Sequence, residues 1–384
     1  MPHRPVHRPL ACRHEGEGTL GISAKPVETF SLLFSYSDCD ERDYIREVVE
    51  FTGFKANYAD PMTIDRRGCV ASVARYKDFV DYPNGAMWQN LWERARDRGF
   101  RVMISGTGSD EWMSGSMYIY ADLLLRLRWI ELTRRIRADS KKYWVWAKKR
   151  NNAFTFFLRL AVWPLLPPWA QMALKRRAGR ELFPGFIDPT FASRIELGRR
   201  MRRKPRYPRG SNFSQRAVYD NYAYGWIAHG HDTNDRIVAR FGLEERHPFL
   251  DRRLAEYIYA IPEDQRLRNR ETKFVLRRAV AGRVPEQILG RRDKADFSIM
   301  FIKVFELAQA ERLFDHMALE EKPGWLSAAD FRETFHETVE NYQTLNLWPI
   351  WTTFSLELWY RVIQLNGTAG LLVGEAPRAL SASA

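Results

Sequence analysis

The stretch from Arg101 to Ser116, RVMISGTGSDEWMSGS, decides how the rest of the chain is read. Val102 to Ile104 is an apolar run of the kind that forms a buried strand, and it stops at a loop of small residues, Ser105 to Ser109. The acidic pair Asp110 and Glu111 then opens a helix. Gly106 and Gly108 let a ligand approach the backbone closely, and the N–H groups of the loop and helix start suit phosphate oxygens. Carboxylates at that place imply a cation between protein and phosphate, since two bare anions would repel. A tight strand-to-helix turn with an acidic N-cap explains the same residues, and this stretch alone does not choose between the two.

Upstream, Thr29 to Ser35 predicts a strand. Asp38 or Asp40 is placed to cap a helix in which Tyr44, Ile45, Val48 and Val49 recur at helical spacing, with Gly53 as its stop. A weaker strand follows at Lys55 to Ala59, and Trp88, Leu91, Trp92 and Ala95 mark a helix that ends at Gly99. Alternating strands and helices of this kind predict an α/β fold with a parallel sheet flanked by helices, in which ligands sit at the carboxyl ends of the strands. The expected organisation is a poorly ordered segment 1–27, a truncated nucleotide-binding part 28–120, a mainly helical part 121–366 without further β-alternation, and a disordered tail 367–384.

A chain of 384 residues with 45% hydrophobic residues can bury a real core. Its net charge of +13 points to nucleic acid, anionic lipid or a polyphosphate ligand. Nucleic acid is set aside, because the basic residues follow no recognisable binding motif. The clusters Arg134 to Lys149 and Arg199 to Arg209 read as solvated faces or as surfaces that steer an acidic partner. Cys12, Cys39 and Cys69 have neither disulfide nor zinc spacing, and no secretory signal is evident, which fits the cytoplasm. Phe154 to Leu174 is the most membrane-like segment, but Arg159, Pro164, Pro167 and Pro168 interrupt it, so buried or interfacial helical pieces are expected rather than a span.

Three later segments are too specific for scaffold: Asp235-Arg236 followed by Glu245 to Asp251 (ERHPFLD), Thr272 to Arg278 (TKFVLRR), and Arg292 to Ser298 (RDKADFS). In order, SGxGxDE, DR, ERxPFLD, TKxxLR and RxKxxF resemble the synthetase domain of the asparagine synthetase family, over about Thr29 to Phe297. The resemblance implies a PP-loop ATPase fold followed by a helical portion. It also implies ATP and Mg²⁺ as cofactors, a carboxylate substrate activated as an acyl-adenylate, and an amine or ammonia as acceptor. An ammonia-supplying or peptide-delivering protein is the partner that such a domain would use.

By that resemblance Ser105, Gly106 and Gly108 face the nucleotide, Asp110 holds Mg²⁺ and Lys294 stabilises charge during adenylation and amide formation. Glu111 is either a catalytic neighbour or an anion in the first helical turn. Lys273 and Arg277 either address phosphate or pair with Asp251 or Glu245. Arg246, Asp251, Asp235 and Arg236 are expected to fix the loop that lines the pocket, and His247 and His231 to be satisfied polar side chains.

Several positions depart from the family pattern. An SGGxDS loop is expected shortly before Thr29, and Leu20 to Lys25 is a poor substitute, which keeps open the alternative of a non-catalytic, truncated homologue that binds a partner. The chain opens Met-Pro-His-Arg, without the N-terminal cysteine of glutamine-using relatives, so glutamine hydrolysis is not expected of these residues. Thr107 stands where asparagine-making relatives usually carry glutamate and cannot serve as a base near neutral pH, which opens the choice of amine to peptide or β-lactam-type ring closure. Met300 stands where the last motif often continues to proline.

Overall fold

The computed structural model describes residues 27–140, 152–177, 183–223, 225–269 and 271–367. The expectations for Leu20 to Lys25, Cys12, most of the first segment and the tail lie outside the described residues. The chain divides into two compact units: residues 1–60, 91–179 and 204–295 form the first, and 61–90, 180–203 and 296–384 the second.

In the first unit, β1 (Glu28–Leu32) runs parallel to β2 (Lys55–Ala59), with Phe30 opposite Asn57. The Arg42–Thr52 helix connects them. It begins where Asp40 Oδ1 accepts from the Arg42 N–H at 3.0 Å, and it ends at Gly53, whose φ of 66° lets its N–H turn back to Val49 O. The Gln89–Asp97 helix buries Leu91, Trp92 and Ala95, as its spacing requires. It leads into β3 (Val102–Ile104), which pairs in parallel with β4 (Glu244–Arg246).

The amino ends of β1 and β3 are tied together. Arg98 forks onto Glu28 with two bonds of 2.8 Å, Asn57 Nδ2 donates to the same carboxylate at 2.7 Å, and Phe30 meets Phe100 edge-on at 5.3 Å. Hydrogen bonds from Arg98 and then Asn57 hold the Glu28 carboxyl down at about 2.

Three expectations change. The parallel pairing occurs in two separate two-stranded ribbons rather than in one continuous sheet among the described residues. β3 is not buried: Ile104 is 75% exposed, because only β4 pairs with this strand there. The second half also contains strand, in β4 and in the antiparallel pair β5 (Leu267–Arg268) and β6 (Glu271–Thr272). Glu244-Glu245-Arg246 carries no apolar alternation, and backbone pairing to β3 alone makes it a strand.

The second unit is helical around an aromatic core that includes Phe305, Phe314, Phe331, Trp351 and Phe354. Phe314 meets Phe331 edge-on at 4.8 Å. Glu357 is fully buried there and accepts from the N–H groups of Ala318 and Leu319 and from Arg361 Nε. Met300, the departure from proline, is buried in this unit. Cys39 and Cys69 are buried, and burial pushes the Cys69 thiol well above its usual range.

Candidate functional site

All eight residues expected at the site lie in the first unit, and the β3–β4 ladder explains much of their placement. Ile104 stands opposite Arg246, and the Ser105 N–H continues the ladder by donating to Arg246 O at 3.0 Å. The residues that follow each strand, Ser105 and His247, therefore emerge side by side. Ser105 Oγ lies 2.7 Å from His247 Nδ1 and 3.0 Å from Thr107 Oγ1, and it accepts the Thr107 N–H at 3.3 Å. His247 is only half satisfied. Its Nε2 is buried without a hydrogen-bond partner among the described residues, and the His231 ring lies 5.2 Å away.

The two glycines differ in kind. Gly106 is exposed, and an added Cβ would meet nothing within 4 Å. Gly108 has a φ of 99°, and a Cβ there would stand 2.5 Å from Leu250 Cδ2. It is a glycine because the loop presses on the Pro248–Leu250 turn and the backbone is left-handed at that point. Gly108 also starts the Ser109–Met113 helix, whose Trp112 and Met113 pack with Val218 and Ile258. No side chain caps this helix. Glu111 stands in its first turn with Oε2 buried and unpaired among the described residues.

Asp110 is the centre of charge. Its Oδ1 lies 2.6 Å from Lys273 Nζ and its Oδ2 lies 2.7 Å from Lys294 Nζ. Partial burial pushes its carboxyl upward, but hydrogen bonds and charge from the two ammonium groups prevail and leave it at about 2. Lys273 also donates to Ser109 Oγ at 2.9 Å. It stands between β6 and the Phe274–Ala279 helix with φ of 56°, a left-handed backbone that a non-glycine residue adopts at a cost.

This geometry corrects the expected pairing of Lys273 and Arg277. Lys273 lies just before the helix and pairs with Asp110, not with Asp251 or Glu245. Arg277 approaches Glu271 at 3.9 Å and donates to the carbonyls of Thr272, Leu289 and Arg291. It clamps the segments that carry Lys273 and Lys294. Arg291 adds to the clamp by stacking on the Tyr44 ring at 4.1 Å while it pairs with Glu41.

The remaining motif residues are local. Asp251 caps the Arg252–Ala260 helix by accepting the Arg253 N–H at 2.8 Å, Arg246 pairs with Glu244 at 2.8 Å, and Glu245 accepts from Asn234. Ser109 and the contact between Ser105 and His247 were not singled out in the sequence. The signal for the contact is the placement of SG and HP directly after two runs that pair in register.

Among the described residues no group of three or more His, Cys, Asp or Glu side chains is arranged to hold a metal. A single carboxylate fits Mg²⁺ that arrives bound to phosphates and water, as this ion usually does. Asp110 can supply that ligand once an anion draws the two lysines away. The arrangement therefore suits a polyphosphate with its cation: two ammonium groups, one carboxylate and an open glycine.

The sequence model of the asparagine synthase family matches residues 11–361. The chain is 39% identical over 61 residues to Asparagine synthetase [glutamine-hydrolyzing] 3 of Bacillus subtilis, a match that covers 16% of this chain and 10% of that protein. It is 38% identical over 58 residues to Asparagine synthetase [glutamine-hydrolyzing] 1 of the same organism, covering 15% and 9%. The matched portion is thus about a tenth of the length of these relatives. With the family match extending over most of its length, and with SGxGxDE, TKxxLR and RxKxxF converging on Asp110, the chain belongs to the asparagine synthase family.

Proposed function

We propose that the chain is an ATP-dependent amide-forming ligase that activates a carboxylate, aspartate or a related acid, as an acyl-adenylate for attack by ammonia or an amine. The observation that carries this reading is the placement of Asp110 between Lys273 and Lys294 beside the open backbone of Gly106. Bound Mg-ATP supplies an activated phosphorus and pyrophosphate as the leaving group. Lys273 and Lys294 would give up Asp110 to hold phosphate oxygens, and Asp110 would then be available to hold the cation. Lys294, the more exposed of the two, then stabilises negative charge as it develops. Ser105, Gly106 and Gly108 position the nucleotide, and Glu111 orders the helix start behind them. Thr107 occupies the loop position at which relatives of this family meet the incoming amine.

Thr107 favours a second substrate choice within the same chemistry. Its exposed hydroxyl offers no charge to hold ammonium, which suits an amine carried by a peptide or another tailoring substrate. A protein that supplies ammonia or delivers a peptide is the corresponding partner, and the cytoplasm the corresponding compartment.

The test is pyrophosphate release from Mg-ATP with a panel of acids, followed by product masses with ammonia and with amines. Release that depends on one acid, with an adenylate trapped in the absence of amine, supports the reading. A folded protein that releases no pyrophosphate with any acid sinks it.

A further inference from the structure

Nearly all of the chain's net charge sits in one stretch. Residues 125–177 hold fourteen Lys and Arg against Glu131 and Asp139, which is +12 of the chain's +13. The Trp129–Ser140, Ala153–Phe157 and Leu158–Val162 helices of this stretch, together with Ile119–Leu125, pack around a core of their own that includes Tyr120, Leu123, Leu132, Ile136 and Phe156. Large apolar side chains nevertheless remain outside. Ile130 is 88% exposed, Trp169 73%, Leu127 69% and Phe154 67%. At the turn between the Ile119–Leu125 and Trp129–Ser140 helices, six consecutive residues, Leu125 to Ile130, are exposed, with Arg126 and Arg128 interleaved among the apolar ones.

Water alone does not favour such a surface, since each exposed apolar group remains hydrated. Nucleic acid would engage the arginines but leave Ile130 and Leu127 wet. A bilayer with anionic headgroups accommodates both kinds of side chain, arginine at phosphate level and tryptophan, leucine and isoleucine at the acyl boundary. The proline-broken segment forms short pieces, Ala153–Phe157, Leu158–Val162 and Pro168–Arg177, and no described helix is long and apolar enough to cross a membrane. We propose that residues 125–140 and 152–177 of this stretch dock the protein on the surface of an anionic lipid bilayer, lying on it without spanning it.

The experiment is flotation of the full chain with vesicles of phosphatidylcholine alone or with about 30% phosphatidylglycerol, at about 0.15 M salt. Binding to the anionic vesicles should be at least about tenfold tighter and should weaken in high salt. Trp129→Ser with Ile130→Ser, and separately Arg126→Gln with Arg128→Gln, should each remove most of it with little change in the thermal melt, because all four side chains are exposed and only the surface ion pair of Arg128 with Glu131 is lost. Tryptophan fluorescence of the unaltered protein should be quenched by lipids brominated on their acyl chains, a readout that needs no variant. Equal partition between the two vesicle types, absence of quenching, variants that bind like the parent, or tighter binding to an oligonucleotide than to the vesicles would each overturn the proposal.

Discussion

Lys294 Nζ lies 2.7 Å from Asp110 Oδ2, although 184 residues separate the two in sequence. With Lys273 on the other oxygen, the carboxylate is neutralised from both sides until a more strongly charged anion competes for the lysines. Lys294→Met should therefore lower pyrophosphate release by about 10²-fold, with a smaller change in nucleotide affinity. Asp110→Asn should raise the Mg²⁺ concentration needed for half-maximal release. Its carboxyl is held at about 2 against an ordinary 3.8, so its ionic contribution is present above 3.8 and is lost only as pH falls through 2. Activity changes across mildly acidic and neutral pH should consequently persist in Asp110→Asn. A magnesium titration identical to that of the unaltered protein would refute the assignment.

Ser105 and His247 form the second relationship, at 2.7 Å. The histidine orients a serine hydroxyl beside the exposed Gly106 and Thr107. His247→Phe keeps a ring of similar breadth but removes the nitrogen, and the loss of one hydrogen bond of about 1 to 1.5 kcal/mol corresponds to roughly a tenfold rise in KM for ATP. Steady-state pyrophosphate release measures it, and an unchanged KM would show that Ser105 needs no such support.

Much of this site was legible because its chemistry is written in short, ordered motifs. Lys273 and Lys294 both meet Asp110, at the end of the loop that begins with Ser105. What was not legible depends on long-range pairing. Glu244 to Arg246 looks like a polar linker until its backbone meets Val102 to Ile104. The partner of Lys273 depended on its left-handed backbone, which places it before the helix and not on a helix face. The apolar run Val102 to Ile104 reads as buried in any sequence, yet Ile104 is exposed because burial belongs to neighbours and not to the strand itself.

Gly108 and Gly106 separate folding from binding. Gly108→Ala combines a φ of 99° with a Cβ 2.5 Å from Leu250 Cδ2, so it should destabilise the protein by about 1–3 kcal/mol. Gly106→Ala meets nothing within 4 Å and should leave stability within about 0.5 kcal/mol while weakening nucleotide binding, because the added methyl occupies the ligand's approach. Denaturant melts paired with nucleotide titrations check both. A large stability loss at Gly106 would mean that its role is in the fold.

Glu263 gives a pH dependence with the opposite sign to that of Asp110. It is buried, pairs with fully buried Arg266 and accepts the Ser116 N–H. Burial is the dominant influence and pushes its carboxyl up to about 7 from 4.5, against the opposing charge of Arg266. The folded protein thus retains a proton that the unfolded chain releases between those values. Stability is favoured below 4.5 and declines as pH rises to 7, by up to ~3 kcal/mol from this group. Glu263→Ala leaves the Arg266 guanidinium buried without its hydrogen-bonding partner and should cost about 3–5 kcal/mol. Glu263→Gln keeps a hydrogen-bonding side chain and should flatten the slope between pH 4.5 and 7 whatever its effect on the absolute melting temperature. Melts of the two variants and the parent across that interval decide the matter. If the parent gains stability steadily from 4.5 to 7 and Glu263→Gln does not alter that slope, Glu263 is ionised in the folded protein and its pairing with Arg266 outweighs its burial.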